Sequence, residues 1–383
     1  MIQPNTLAAI ILLLGFSSAQ AQQPLAPETT LRLDGSSLAS TEIDATVGRL
    51  MKEDNVTGVG IAVFHNGKIS YLKTYGQSDT EKGQALTPDT VMPAASLTKA
   101  AFAIEVMLLV QKGVLNLDVP IQQYLPKPLP EYEKYADLQG DDRYKKLTLR
   151  ILLSHTSGFP NFRWLEDDKK LKIHFEPGTR YAYSGEGFQL AQLVVETVTG
   201  KSLTPLMEED LFGPLGMTRT SMNWEPRFES DFANGYDEHG KSLGPQKRTK
   251  PGAAGFMQTT LHDYATLLSA VMRNQVLNPK TTAEMLKPVV MIHSLHQFPS
   301  LAPETTTAHD AIQLSAGLGW GLYTSSYGNA FFKGGYDDGW RHQGLCFSNG
   351  DGLLIMTNSS NGDQIFKPLF DSILGNTSFP FDW

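Results

Sequence analysis

Ser96-Leu97-Thr98-Lys99 places a hydroxyl and an amine three residues apart at the head of a long apolar run. On a helix, residues so spaced share a face. An amine kept neutral by apolar neighbours such as Ala100 and Phe102 can take the proton of the hydroxyl, which then attacks an acyl carbon. The chain carries the same pattern a second time, in Ser70-Tyr71-Leu72-Lys73. That copy follows the turn signal His65-Asn66-Gly67 in a β-branched and aromatic stretch. On a strand its two members face opposite ways, so they are read as sheet residues. Ser96, by contrast, follows Pro93-Ala94-Ala95 and precedes a run to Gln111 that is apolar on nearly every side, with Gly113 as a stop. This predicts a buried central helix with the reactive pair at its start.

A nucleophilic serine also needs a proton carrier for the leaving group, a positive charge and backbone donors for the oxyanion. Pro177-Gly178-Thr179-Arg180-Tyr181-Ala182-Tyr183-Ser184-Gly185 presents tyrosines just before a helical pattern. Phe332-Lys333-Gly334-Gly335-Tyr336 reads as a strand that carries a lysine and then loses its side chains, leaving backbone N–H groups open. With Ser96 to Lys99 first, Tyr183-Ser184-Gly185 second and Lys333-Gly334-Gly335 third, the chain resembles the serine β-lactamase and penicillin-binding protein superfamily, in the branch of class C β-lactamases, DD-peptidases and their esterase relatives. Leu152-Leu153-Ser154-His155-Thr156-Ser157-Gly158, Phe212 to Met217, and Ala253-Ala254-Gly255-Phe256 leading to Asp263 extend the likeness over about Ile43 to Asn361.

The resemblance implies an acyl-enzyme on Ser96 that water hydrolyses. Lys99 would tune the serine, and Tyr183 would act as base towards it or as acid towards the leaving group, its pKa depressed by Lys99 and Lys333. Backbone N–H groups of Ser96 and Tyr336 would form the oxyanion hole, with Lys333 adding charge. Gly185 stands where the family often has Asn, and Gly334 where it often has Thr or Ser, so both polar handles for penicillin-like ligands are missing. Asp337 and Asp338 are expected to repel anions at the cleft mouth. Arg341 is the one evident receptor for a substrate carboxylate. The substrates implied are small esters, D-amino-acid amides or peptides, and less efficiently β-lactams. The alternative is a penicillin-binding DD-peptidase or a slowly deacylating sensor.

The elements that must position these residues are α+β. Ile43, Val47, Leu50 and Met51 predict a helix before a hairpin of Thr57 to Phe64 with Lys68 to Tyr75. Phe331 to Gly334, Trp340 to Ser348 and Leu353 to Asn358 read as strands, with a tight turn at Asn349 to Gly352 and a closing helix over Ile365 to Leu374. Helical patterns dominate between, including Gly187 to Thr199 and Leu261 to Met272. The expected layout is an antiparallel sheet flanked by helices, from 22–117 and 311–383, with a mostly helical insert at 118–310 and the site in the cleft between them. Leu295 to Thr307 reads as a surface loop.

The remaining features bound the function. Leu7 to Phe16 is too short to span a bilayer and precedes Ala19-Gln20-Ala21, so residues 1–21 read as a signal peptide and the protein as periplasmic or secreted. A lone cysteine, Cys346, excludes an internal disulfide and reads as a buried thiol. The net charge of −8 argues against nucleic acid as a partner. The histidines lack metal-ligand spacing and no cofactor is called for. His155 is expected to serve in structural hydrogen bonding, Phe162 and Trp164 either to line the cleft or, in preference, to pack beneath a loop, and Glu166 to Lys170 to open a solvated helix.

Overall fold

The structure is a computed structural model that describes residues 27–383, so the segment read as a signal peptide lies outside the described residues. Helix α1, Ser40–Glu53, buries Ile43, Val47 and Leu50 along one stripe. Strands β1, Gly58–His65, and β2, Lys68–Asp79, form the first hairpin, and Gln84–Ala85 adds the edge strand β3. The apolar run becomes α2, Leu97–Gln111, buried over Leu97 to Leu109. Helices α3, Gly185–Thr199, and α4, Leu261–Met272, follow, each started by a side-chain cap: Ser184 accepts from Gly187 N–H and Thr260 from Asp263 N–H.

The chain then returns to the sheet through β4, Val290–Met291, β5, Ser315–Ala316, β6, Gly321–Ser325, β7, Gly328–Asp337, β8, Trp340–Phe347, and β9, Gly352–Thr357. Helix α5, Phe366–Ile373, closes the fold. The strand order is β4-β5-β6-β7-β8-β9-β1-β2-β3, with every neighbouring pair antiparallel. The first and last parts of the chain meet where β9 pairs with β1, from Gly352 opposite Phe64 to Thr357 opposite Val59.

Both faces of the sheet are covered. Val59, Ile61 and Val63 of β1 face a core shared with α1 and α5, whereas Ala62 and Phe64 face the core that holds α2, α3 and α4. This period-two division explains why β1 is buried almost throughout. The second core runs without a break from the sheet into the helical middle region, joining Ala62 and Leu354 to Phe159, Phe188 and Leu211.

Two expectations change. The sheet begins at Val290, within the segment assigned to the helical insert, because Val290 pairs with Ala316. Glu166 to Lys170 is a bend and turn, not a helix, with Lys169 at φ +55, and Glu166 sits 3.0 Å from His174. Among the described residues no helix is long and apolar enough to cross a membrane.

Candidate active site

Ser96 sits one residue ahead of α2, in a turn held from three sides. Met92–Pro93 pairs with Gln258–Thr259, the Ala94 N–H donates to the Met257 carbonyl at 2.8 Å, and His342 Nε2 donates to the Pro93 carbonyl at 2.9 Å. Burial takes His342 down to about 4, so it stays neutral and keeps that donor. Ala95, just before the serine, adopts φ +46. A non-glycine residue in this region costs on the order of 1 kcal/mol or more. Thr98 offsets it: its hydroxyl donates to the Ala95 carbonyl at 2.6 Å and accepts from the Met257 N–H at 3.2 Å. The strained turn is what exposes Ser96 while its neighbours Ala95 and Leu97 stay buried.

Lys99 is 1 % exposed, and its Nζ lies 3.2 Å from Ser96 Oγ and 2.5 Å from the Ala254 carbonyl. The rings of Tyr183 and Phe188 stand 4.9 and 5.7 Å away. Burial, then the charge of Lys333, hold this amine well below the ordinary lysine range. Its partners are acceptors and aromatic faces, with no carboxylate, so nothing nearby restores the charged form.

Lys333 comes from β7 on the face turned to α2. Its Nζ donates to Tyr183 Oη at 3.0 Å and to its neighbour's carbonyl at Gly334 at 3.2 Å, and burial brings it down to about 7. Tyr183 is 4 % exposed, stacked on His155 at 4.3 Å and met edge-on by Phe298 at 5.3 Å. The expected depression of its pKa is overturned. Burial between these rings raises the phenol, and only the Ser96 hydroxyl opposes it. His155 Nδ1 accepts from the Ser184 N–H at 3.0 Å, and burial keeps the imidazole neutral, so it acts as a brace behind Tyr183.

Where the expected oxyanion donors of β7 point follows from strand register. Two-residue turns close both hairpins of β7, between Ser325 and Gly328 and between Asp337 and Trp340. In an antiparallel ladder, backbone groups alternate between the two neighbours. The even-numbered residues of β7 therefore point towards β6, which stops at Gly321 opposite Phe332. Beyond that point Gly334 and Tyr336 present their N–H and C=O groups to the open edge beside Ser96. Gly335 lets the strand approach α2 this closely: a Cβ there would lie 2.7 Å from the Ala94 carbonyl and 3.1 Å from the Leu97 nitrogen.

The structure thus gathers Ser96, Lys99, Tyr183, Lys333 and the Gly334 to Tyr336 edge around one cleft of about 180 Å³. It does not bring in Arg341, which stacks on Tyr336 at 5.3 Å and donates to the Asp337 and Trp340 carbonyls outside the cleft lining. Asp337 is paired with Arg248 at 2.7 Å, and Asp338 is exposed at the hairpin turn. Neither is among the residues that line the cleft.

Neighbours fill the space at both departures from the family pattern. An ideal Cβ on Gly185 would meet Phe162 Cε1 at 2.4 Å, and one on Gly334 would meet Gln343 Oε1 at 2.9 Å. Phe162 lines the cleft and stacks at 4.1 Å on Trp164, which is 56 % exposed, so this pair does not pack beneath a loop. Gln343, Gln297, Phe298, Phe381 and Trp383 also line the cleft and were not singled out from sequence. The cross-strand pairing of Gly334 with Gln343 is the one relation that register alone could have supplied.

A family model described as Beta-lactamase matches residues 43–374. The chain belongs to the Beta-lactamase family. A "Beta-lactamase" of Pseudomonas fluorescens is 26 % identical over 291 residues, covering 73 % of this chain and 74 % of that one. "Protein flp" of Staphylococcus aureus strain MRSA252 is 27 % identical over 240 residues, 58 % of this chain, and the match spans only 46 % of that relative's length. The octameric penicillin-binding protein homologue of Pyrococcus abyssi shares the fold with a TM-score of 0.71 at 20 % identity, over 90 % of this chain and 80 % of that one. D-alanine carboxypeptidase AmpC of Burkholderia cenocepacia gives 0.68 at 19 % identity, over 87 % and 99 %. The β-lactamase and penicillin-binding protein fold is therefore shared across the described chain, as the motif order had implied.

Proposed function

We propose that this Beta-lactamase family member is a serine hydrolase that prefers esters or amides with a small acyl part over carboxylate-bearing β-lactams. The observation that carries the reading is the buried Lys99 amine, held well below the ordinary lysine range, 3.2 Å from Ser96 Oγ. In the reaction, Lys99 takes the Ser96 proton as Oγ bonds to the acyl carbon, with Ser96 and Tyr336 N–H groups and Lys333 stabilising the oxyanion. Tyr183, protonated and bonded to Lys333, gives its proton to the leaving group as the acyl bond breaks. It regains a proton from Lys99. Water then adds to the acyl carbon, releasing the acid and restoring the serine hydroxyl.

The preference rests on Gly185 and Gly334, where the side chains that would grip a penicillin-like amide and carboxylate are replaced by the Phe162 ring and Gln343. A peptidase dependent on a substrate carboxylate loses its expected receptor, because Arg341 is engaged elsewhere. A second reading, a penicillin-binding protein that deacylates slowly, draws support from the cleft lining, which contains no carboxylate to activate water. Export to the periplasm or beyond is proposed from the Leu7 to Phe16 run and the Ala19-Gln20-Ala21 site.

The test follows p-nitrophenyl butyrate and nitrocefin hydrolysis by the purified protein alongside intact-mass detection of an acyl adduct, with Ser96→Ala as control. Ester turnover with little nitrocefin cleavage, both lost in Ser96→Ala, is the expected result. A lasting adduct without turnover would favour the second reading, and full activity in Ser96→Ala would refute both.

A further inference from the structure

One end of the cleft is built by a segment that lies beyond the family match, which ends at residue 374. Residues 375–383 form no helix or strand, yet Pro380, Phe381 and Trp383 line the site. The segment is held by its aromatic rings and a few polar ties. Tyr323 Oη donates to the Thr377 carbonyl at 2.9 Å, and Trp383 Nε1 donates to Ser294 Oγ at 3.2 Å. Phe379 packs on Phe332 at 4.9 Å and on Phe381 at 4.7 Å, and Trp383 tilts against Tyr181 at 5.8 Å. Phe298, from the loop read as a mere surface connection, closes the other side against Tyr183. Two coil segments remote in sequence thus wall one side of the cleft with aromatic rings, forming a pouch.

Phe298 meets the Tyr183 ring at 5.3 Å and Trp383 the neighbouring Tyr181 ring at 5.8 Å, so the pouch wall adjoins Tyr183, while Asn161 and Phe162 line the cleft beside Gly185. A leaving group departs past the residue that protonates it. On the acyl-serine reading above, that residue is Tyr183. We propose that residues 377–383 form a specificity strap that receives a flat, uncharged, apolar leaving group, such as an aryl alcohol, with Trp383 as its main contact. Size fits this class. A cavity of about 150 Å³ accommodates benzene, and the whole cleft measures about 180 Å³. A cleft of this size suits a small flat aromatic group better than a peptide. The flat aromatic walls favour ring stacking over a bulky saturated group.

The experiment compares kcat/KM for 2-naphthyl acetate and ethyl acetate in the wild type, Trp383→Ala and Trp383→Phe. The intrinsic difference in leaving-group reactivity cancels when proteins are compared. Trp383→Ala is expected to reduce the preference for the naphthyl ester by about fivefold or more, chiefly through KM, and Trp383→Phe to recover most of it. Calorimetric binding of 2-naphthol, which needs no turnover, should weaken in parallel. An unchanged preference and unchanged naphthol affinity in a Trp383→Ala protein of native circular dichroism overturn the strap. So does a change that follows acyl length at fixed alcohol. Absence of Ser96-dependent ester cleavage with naphthol binding still sensitive to Trp383 would instead refute the hydrolase reading and leave the pouch standing.

Discussion

The chain contains two Ser-x-x-Lys tetrapeptides in opposite physical settings. Ser70 and Lys73 lie on β2, and Lys73 points to Asp44 at 2.7 Å with its side chain 29 % exposed. That carboxylate also accepts from Tyr75 Oη at 2.8 Å. Ser70 meanwhile donates to the Val63 carbonyl. Ser96 and Lys99 lie at a helix start, with the amine dry, carboxylate-free and beside a second lysine. Identical spacing therefore yields a carboxylate-paired amine on a strand and, on a helix, a buried amine held well below the ordinary lysine range. Secondary structure decides whether hydroxyl and amine meet, and burial without a counter-charge decides whether the amine can accept a proton.

The comparison is broken most sharply at Lys99. Lys99→Met keeps length and apolarity but removes the base, and should lower kcat by about 10²- to 10⁴-fold in single-turnover assays while circular dichroism stays native. A smaller effect is expected at Lys333. Its amine is charged below about 7 and neutral above, so oxyanion stabilisation is present at lower pH and lost as pH rises through that value. The kcat/KM profile should carry an alkaline limb near 7, and Lys333→Met should abolish the limb along with about tenfold or more of the rate. Next comes the filled glycine. Gly185→Asn should destabilise the fold and slow ester cleavage because its Cβ would fall 2.4 Å from the Phe162 ring. Adding Phe162→Ala should recover stability in denaturant titrations and raise nitrocefin turnover relative to the ester. At the bottom of the scale, Lys73→Met should leave ester kcat/KM within about twofold and cost no more than about 1 kcal/mol in urea unfolding, as befits a half-exposed ion pair.

Much of this site was legible in the order of short motifs, because each rests on local geometry. A hydroxyl and an amine three apart need only a helix, and two successive glycines after Lys333 need only a strand that passes close to something. Helices at Leu261–Met272 and Gly185–Thr199 announced themselves through periodicity and their capping Thr260 and Ser184. What remained hidden depended on partners distant in sequence. The raised pKa of Tyr183 comes from His155 and Phe298, which no local pattern ties to it. Arg341 and Asp337 looked like cleft residues because alternation gives a face but not a partner, and Arg248 claims Asp337 from nearly ninety residues away. Phe298, Phe381 and Trp383 sit in coil, where apolar residues carry no period and read as packing.

The five residues of β7 that extend past the end of β6, Lys333 to Asp337, leave an open strand edge. An unpaired strand edge is a docking rail for any extended chain, and sheets ordinarily blunt or hide theirs. On the proposed acyl-serine reading the rail must stay open, since the Tyr336 N–H has to face the oxyanion. The molecule keeps it short: the Asp338–Gly339 turn ends it on one side and the aromatic strap crowds it on the other. On that reading a short opening serves the oxyanion while offering little edge for another strand to pair with, and a longer one would expose more edge to self-association.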